Sequence, residues 1–105
     1  MKQYQVKITD DALADMECIY NYIAQQLKEP EYAMGLYNRI ADAVLRLKEF
    51  PERFRLLEPE PCHSMEMRRM NVDHYSVFCV IRQDTVYVTD VLYSASDIEN
   101  RLRRI

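Results

Sequence analysis

The arginines of this sequence are the side chains best suited to chemistry on an anion. All eight basic residues of the segment 53–105 are arginines, and the planar guanidinium binds carboxylates or phosphates through paired hydrogen bonds. Arg68 and Arg69 are adjacent on a predicted strand, whereas Arg82 follows the next predicted strand. These three are candidates for stabilising negative charge, either on a reacting phosphate or on an acidic partner.

Arginine also crowds the C-terminus, at Arg101, Arg103 and Arg104. Cations at the carboxyl end of a helix offset the negative pole of the helix dipole, which is the structural alternative to a role for Arg101 in partner binding. The structural alternative for Arg68 and Arg69 is one buried pair with an acid of the helices plus one solvated charge. The sequence leaves both alternatives open.

Proton transfer could come from Tyr75, Tyr93, His63 or His74, which lie in or beside predicted strands. Cleavage of RNA needs a base for the 2′-hydroxyl, a cation for the phosphorane and an acid for the leaving oxygen. The candidate catalytic residues for such a reaction are Arg68, Arg69, Tyr75, Arg82 and Tyr93. They form no compact motif, and the net charge of −3 opposes broad binding to nucleic acid.

Other kinds of site are disfavoured by spacing and composition. Cys62-His63 and Asp73-His74 lack the ligand spacing of a metal site, so both histidines are expected on the surface. The single glycine of the chain excludes a glycine-rich phosphate loop. We therefore expect neither a metal nor a cofactor.

Cysteine usage and hydropathy bear on the compartment. The three cysteines are odd in number and widely spaced, which favours a reducing cytosol over a disulfide framework. Cys18 and Cys79 are interpreted as small core side chains. The chain has no apolar signal segment at its start, and no stretch approaches the ~20 apolar residues of a membrane span. A cytoplasmic protein without membrane association is expected.

The first predicted elements are a strand and two helices. Polar and apolar residues alternate over 4–8, which indicates a half-buried strand. Apolar residues then recur at helical spacing, at Leu13, Met16, Tyr20, Ile23 and Leu27. The second helix runs from about 31 to 48, and its inner stripe comprises Ala33, Tyr37, Ile40, Val44 and Leu47, widened by Leu36, Ala41 and Leu45. A short link between them predicts an antiparallel hairpin.

Three strands are predicted next, at 65–70, 75–81 and 85–92. Their short links make them an antiparallel meander. The middle strand is apolar on both faces except at Ser76, a pattern typical of a central strand.

A capping box at Ser96-Asp97-Ile98-Glu99 predicts a last helix that ends at Ile105. The expected fold is one α+β domain over residues 1–105, with the order β-α-α-β-β-β-α. A helical hairpin packs on a mostly antiparallel four-stranded sheet, in which the place of the first strand is left open.

Some apolar side chains of the helices lie beyond the narrow core stripes, notably Ile19, Tyr22 and Met34. Exposed aromatics and methionines beside a helical hairpin suggest a groove for a partner helix, although these residues could instead widen the core. The candidate partner-binding residues are Ile19, Tyr22, Met34, Arg69 and Arg101.

Five short segments, in a fixed order, carry a resemblance to a known family. They are Phe50-Pro51-Glu52-Arg53, Arg68-Arg69-Met70, Tyr75-Ser76-Val77-Phe78, Val86-Tyr87-Val88 and Val91-Leu92-Tyr93-Ser94-Ala95-Ser96-Asp97. Together with the strand and hairpin before them, they resemble the RelE/ParE superfamily of type II toxin–antitoxin toxins, also called plasmid stabilisation proteins. The resemblance covers nearly the whole chain.

The resemblance implies a bacterial toxin that inhibits growth and is neutralised by a cognate antitoxin with an extended tail. RelE-like members cleave mRNA on the ribosome, whereas ParE-like members poison DNA gyrase. This sequence departs from the nuclease pattern. Where nuclease members have an arginine directly after the strand tyrosine, this chain has Ser76. Where they frequently have Gly-Arg-Arg-Asp before the last helix, it has Ser94-Ala95-Ser96-Asp97, and no lysine follows Lys48.

These departures favour a ParE-like toxin that acts by binding a protein, with DNA gyrase the best candidate target. One alternative is a RelE-like, ribosome-dependent mRNA endoribonuclease. The other is a non-toxic scaffold that only binds the antitoxin. Whether the chain is an enzyme is therefore left open by the sequence, with binding preferred.

Overall fold

One strand, two helices and three further strands follow one another along the chain. The computed structural model describes residues 3–58, 60–95 and 98. The elements are β1 (Gln5–Ile8), α1 (Asp10–Asn21), α2 (Pro30–Leu45), β2 (Arg68–Val72), β3 (Tyr75–Arg82) and β4 (Thr85–Tyr93). A π-helical segment at Tyr22–Gln26 extends α1, and 3-10 turns follow α2 at Arg46–Lys48 and Pro51–Arg53.

The sheet has the order β1-β4-β3-β2. β1 runs parallel to β4, whereas the β4–β3 and β3–β2 pairs are antiparallel. The sheet is thus mostly antiparallel, as predicted, and β3 is central. The first strand, whose place the sequence left open, lies at one edge of the sheet beside β4. Its parallel pairing with β4 is possible because the two helices lie between them in the chain.

Both helices pack on one face of the sheet. Thr9 caps α1, since its hydroxyl oxygen accepts a hydrogen bond from the Ala12 amide at 3.2 Å. The hydroxyl also donates to the Val88 carbonyl at 2.9 Å and so ties the cap to β4. Ile23 and Ile40 are both buried in the resulting core, as the helical spacing predicted.

The apolar stripes are narrower than predicted. Leu13, Leu27 and Leu45 are exposed. Ala12, not Leu13, faces the sheet at the start of α1. The π-helical segment takes more residues per turn than an α-helix, so the 3.6-residue spacing fails before Leu27.

The second strand begins three residues later than predicted, at Arg68 and not at residue 65. Turns occupy 60–66, and Glu66 has a left-handed φ of 58° that interrupts extended backbone. The cysteine interpretation is half correct. Cys79 is buried, but Cys18 lies on the exposed side of α1.

A second apolar cluster covers the other face of the sheet. It consists of Cys62, Met67, Phe78, Val80 and Leu92, with Leu57 and Ile98 packed against it. This cluster explains why β3 is apolar on both faces. The last helix, predicted from the capping box at Ser96, lies outside the described residues except for Ile98.

Candidate functional site

Ser76 is the centre of a polar network on the sheet face opposite the helices. Its side chain is fully buried. The Ser76 hydroxyl donates to Asn71 Oδ1 at 3.0 Å and accepts from Arg69 Nε at 3.0 Å. Ser94 Oγ lies 2.8 Å away, and since the single Ser76 proton goes to Asn71, Ser94 is the donor. The buried hydroxyl is therefore fully satisfied.

The network fixes the direction of Arg69. Its Nε is shared between Ser76 and Asn71, the latter at 3.2 Å. The guanidinium carbon lies 5.9 Å from the centre of the Phe78 ring, within reach of a cation–π contact. Arg69 also lines a cavity of about 310 Å³ with His74 and Tyr93. Neither Asn71 nor Ser94 forms a sequence motif of its own. Only their position beside Ser76 in the folded sheet identifies them as members of the network.

Tyr75 and Tyr93 form an aromatic pair at the end of β3 and β4. Their ring centroids are 5.5 Å apart with an interplanar angle of 60°. Burial raises the pKa of the Tyr75 hydroxyl, and neighbouring tyrosines add to the rise. A phenol with a raised pKa is a weak acid and is not ionised near neutrality, so it is poorly suited to transfer protons.

The other two catalytic candidates lie elsewhere. Arg68 Nη1 donates to the carbonyls of Glu52 at 3.1 Å and Phe54 at 2.7 Å, which holds the loop after α2. Arg82 donates to the Met65 carbonyl at 2.9 Å. Arg82 is seven residues along β3 from Tyr75, a separation of about 23 Å. The five candidates therefore do not form one site.

The structural alternative for Arg68 and Arg69, a buried pair with an acid of the helices, is not what the structure shows. Both arginines bond to main-chain carbonyls or neutral side chains instead. The ion pair that does link helix and sheet joins Arg39 Nη2 of α2 to Asp73 Oδ2 at 2.8 Å. Asp73 lies in the β2–β3 turn, 34 residues further along the chain, so no local pattern signals the pair.

An apolar groove lies between α1 and the end of β4. Its volume is about 530 Å³. We define the aromatic groove by six of its lining residues, Ile19, Tyr22, Leu27, Tyr75, Leu92 and Tyr93. Tyr22, Leu27 and Tyr93 each expose about half of their surface. Exposed large apolar residues gathered on one concave surface are typical of an interaction site.

The predicted partner-binding residues divide among different surfaces. Ile19 and Tyr22 line the aromatic groove. Met34 lines a separate cavity of about 380 Å³ with Tyr20 and Tyr37. Arg69 belongs to the polar network on the other face of the sheet, and Arg101 lies outside the described residues.

His63 and His74 are both exposed, as expected. Within 3–58, 60–95 and 98, no three side chains of His, Cys, Asp or Glu are grouped to hold a metal ion. No helix in the described part of the chain is long and apolar enough to cross a membrane.

The fold is shared with chains from solved toxin–antitoxin systems. A chromosomal ParDE system from P. aeruginosa contains a chain with 19% identity and a TM-score of 0.73, covering 89% of this chain and 98% of that one. A chain of a RelBE complex from Mycobacterium tuberculosis has 17% identity and a TM-score of 0.62, and the match covers 87% of this chain and 98% of that one. A chain of the RelE–RelB complex of Pyrococcus horikoshii has 16% identity and a TM-score of 0.59, and the match covers 90% of this chain and 98% of that one.

No curated protein sequence matches the chain significantly. The sequence model of the family described as "ParE toxin of type II toxin-antitoxin system, parDE" matches residues 6–98, which is most of the chain. The described helices and strands, from Gln5 to Tyr93, lie almost entirely within this match. The chain therefore belongs to the ParE family of type II toxin–antitoxin toxins.

Proposed function

We propose that this ParE-type toxin acts by binding a protein, with DNA gyrase the best candidate, and that an antitoxin neutralises it. The observation that carries the proposal is the Ser76 network. A neutral, fully hydrogen-bonded serine occupies the place where the resemblance puts a nuclease arginine. Serine cannot supply the charge-assisted hydrogen bonds that stabilise a phosphorane.

The separation of the candidate side chains supports the same proposal. Phosphodiester cleavage needs cation, base and acid within hydrogen-bond reach of one phosphate. Arg82 is at the far end of β3 from Tyr75, and Arg68 is engaged by two main-chain carbonyls. Arginine is also a poor general base because its guanidinium group stays protonated at neutral pH.

An antitoxin is the proposed occupant of the aromatic groove. The similar structures are toxin–antitoxin complexes, and the groove offers exposed tyrosine and leucine between a helix and a strand. An amphipathic helix buries its apolar face in such a groove. This part of the proposal requires that the antitoxin co-purify with the toxin when the two are expressed together.

A residual nuclease is the second candidate, because Arg69, His74 and Tyr93 do line one cavity. The test is to induce the toxin and map the ends of ribosome-bound mRNA, alongside His74→Ala and Tyr93→Phe. Binding without cleavage predicts growth arrest, intact mRNA and unchanged arrest by His74→Ala. Codon-positioned cleavage that both variants abolish would establish the nuclease. No growth arrest by the wild type would indicate the non-toxic scaffold.

A further inference from the structure

A second groove follows the flank of α2, on the side of the hairpin away from α1. Its volume is about 520 Å³. We define the arginine groove by Arg39, Arg46, Arg53, Phe54, Met70 and Val72. It shares no lining residue with the aromatic groove. A change in one groove can therefore be made without touching the other.

Its three arginines are spaced by seven residues along the chain. Arg39 lies in α2 and Arg46 immediately follows its last residue, so the two are about two turns apart and lie on one side of the helix. Arg53 lies in the second 3-10 turn, Pro51–Arg53, with its guanidinium 4.4 Å from the centre of the Phe54 ring. The groove is thus lined by three cations in a chain of net charge −3.

The three guanidinium groups differ in how far they are already engaged. Arg39 is paired with Asp73, and Arg53 donates to the Phe50 carbonyl at 3.0 Å. Arg46 is exposed and makes no ion pair within the described residues. Asp42 is the one carboxylate among the described residues that line the groove. The groove keeps a positive excess, with Arg46 its most available cation.

The floor of the groove is apolar and borders the edge of the sheet. Phe54, Met70 and Val72 contribute it. The first part of β2 is covered by the preceding loop, since the Arg69 amide donates to the Arg55 carbonyl at 3.2 Å. The direction of the main-chain N–H and C=O groups alternates from residue to residue along a strand. Those of Asn71 therefore point away from β3, as those of Arg69 do, and lie beyond the part of β2 that the loop covers. An extended segment could bond there.

We infer that the arginine groove binds an extended segment of the toxin's protein target that carries both apolar and acidic side chains on one face. Apolar side chains of this segment face Met70 and Val72, and its carboxylates meet Arg46 and Arg53. The charge complementarity also speeds the encounter of the two partners. The inference rests on the proposed function, in which the toxin acts by binding. It assigns the target to this groove because the antitoxin is placed in the other.

The groove can be tested directly with an acetylated Val-Ser-Glu-Ser-Val-Ser-Glu peptide, whose valine and glutamate side chains share one face of the extended chain, titrated into the ¹⁵N-labelled toxin. We expect saturable shifts at Asn71 and Val72 that weaken with salt. Arg46→Glu should lower the affinity about fivefold, whereas Lys7→Glu, the same charge change on β1, should leave it unchanged. No shift at Asn71 and Val72, or equal affinity for both variants, would overturn the site. Stronger binding of single-stranded RNA than of the peptide would also overturn it.

The same two variants test the assignment to the target. Arg46→Glu should need a several-fold higher expression level to arrest growth, while its Kd for the antitoxin stays within about twofold of the wild type, because sites that share no contacts act nearly independently. Lys7→Glu should match the wild type in both. Arrest by Arg46→Glu at the wild-type level, or loss of antitoxin affinity, would overturn the assignment. If the wild type itself causes no arrest, the proposed function fails, but the peptide titration still decides the groove.

Discussion

Ser76 Oγ accepts a hydrogen bond from Arg69 Nε at 3.0 Å, across two neighbouring strands. The contact joins a fully buried hydroxyl to a partly exposed cation. It holds the Nε of Arg69 on the sheet, and Arg69 also lines the cavity that contains His74 and Tyr93. Ser76, which stands where nuclease members of the superfamily have an arginine, thus serves as the centre of a hydrogen-bond network.

Replacing Ser76 with alanine should lower the free energy of unfolding by about 1–3 kcal/mol, because buried donors and acceptors lose their partner. Ser94→Ala removes only one bond of the network and should cost about 0.5–1.5 kcal/mol. Urea denaturation of both variants measures the difference. Equal and negligible effects would show that the network does not stabilise the fold.

Replacing Ile40 with alanine should cost about 2–5 kcal/mol, because its side chain is buried between α2 and the sheet. The matched control is Leu45→Ala on the same helix, where the leucine is 61% exposed. An exposed substitution of this kind should stay within about 0.5 kcal/mol. Urea midpoints that move equally for the two variants would contradict the described packing of α2.

Tyr22→Ala should weaken antitoxin binding by about 10- to 100-fold, as for an aromatic anchor at the centre of an interface. It should leave the unfolding midpoint nearly unchanged because Tyr22 is half exposed. Isothermal titration calorimetry gives the affinity, and Leu45→Ala serves as a control outside the groove. Wild-type affinity in Tyr22→Ala would remove the antitoxin from the aromatic groove.

The Cys79 thiol makes stability depend on alkaline pH. Burial raises its pKa from 9.0 to about 11. The unfolded state therefore loses this proton first as the pH rises, so the stabilising contribution is complete below pH 9.0 and is lost between 9.0 and about 11. As the pH rises through this range, the urea midpoint should fall less steeply in Cys79→Ala than in the control Cys18→Ala, in which an exposed thiol is replaced and Cys79 is kept. Equal slopes would contradict burial of Cys79.

The fold was predictable because its periodicities are strong and local. Ile23 and Ile40 lie where the helical spacing puts them, and β3 is central as its two apolar faces indicated. The spacing failed where the helix changes pitch, since a π-helical segment has no signature in apolar periodicity and displaces Leu27. Similarly, β2 begins later than predicted because Glu66 has a left-handed backbone conformation, which a glutamate in the sequence does not indicate.

The candidate site was less predictable because its contacts are non-local. Sequence patterns identified Arg69 and Tyr93 individually but also Arg82, which lies at the other end of the sheet. Only the register of β3 against its neighbours shows that Asn71 is opposite Ser76. The arginine groove is of the same kind, since its cations come from a helix and a turn that meet β2 only in the fold.

A supercoiling assay with purified DNA gyrase distinguishes a toxin that acts by binding from one that cuts RNA. If the toxin acts by binding gyrase, it blocks supercoiling of relaxed plasmid, and equimolar antitoxin restores the activity. Arg46→Glu should block supercoiling only at several-fold higher concentration, while Lys7→Glu behaves as the wild type. Full supercoiling in the presence of a toxin that arrests growth, with ribosome-bound mRNA cut in the same cells, would contradict the account.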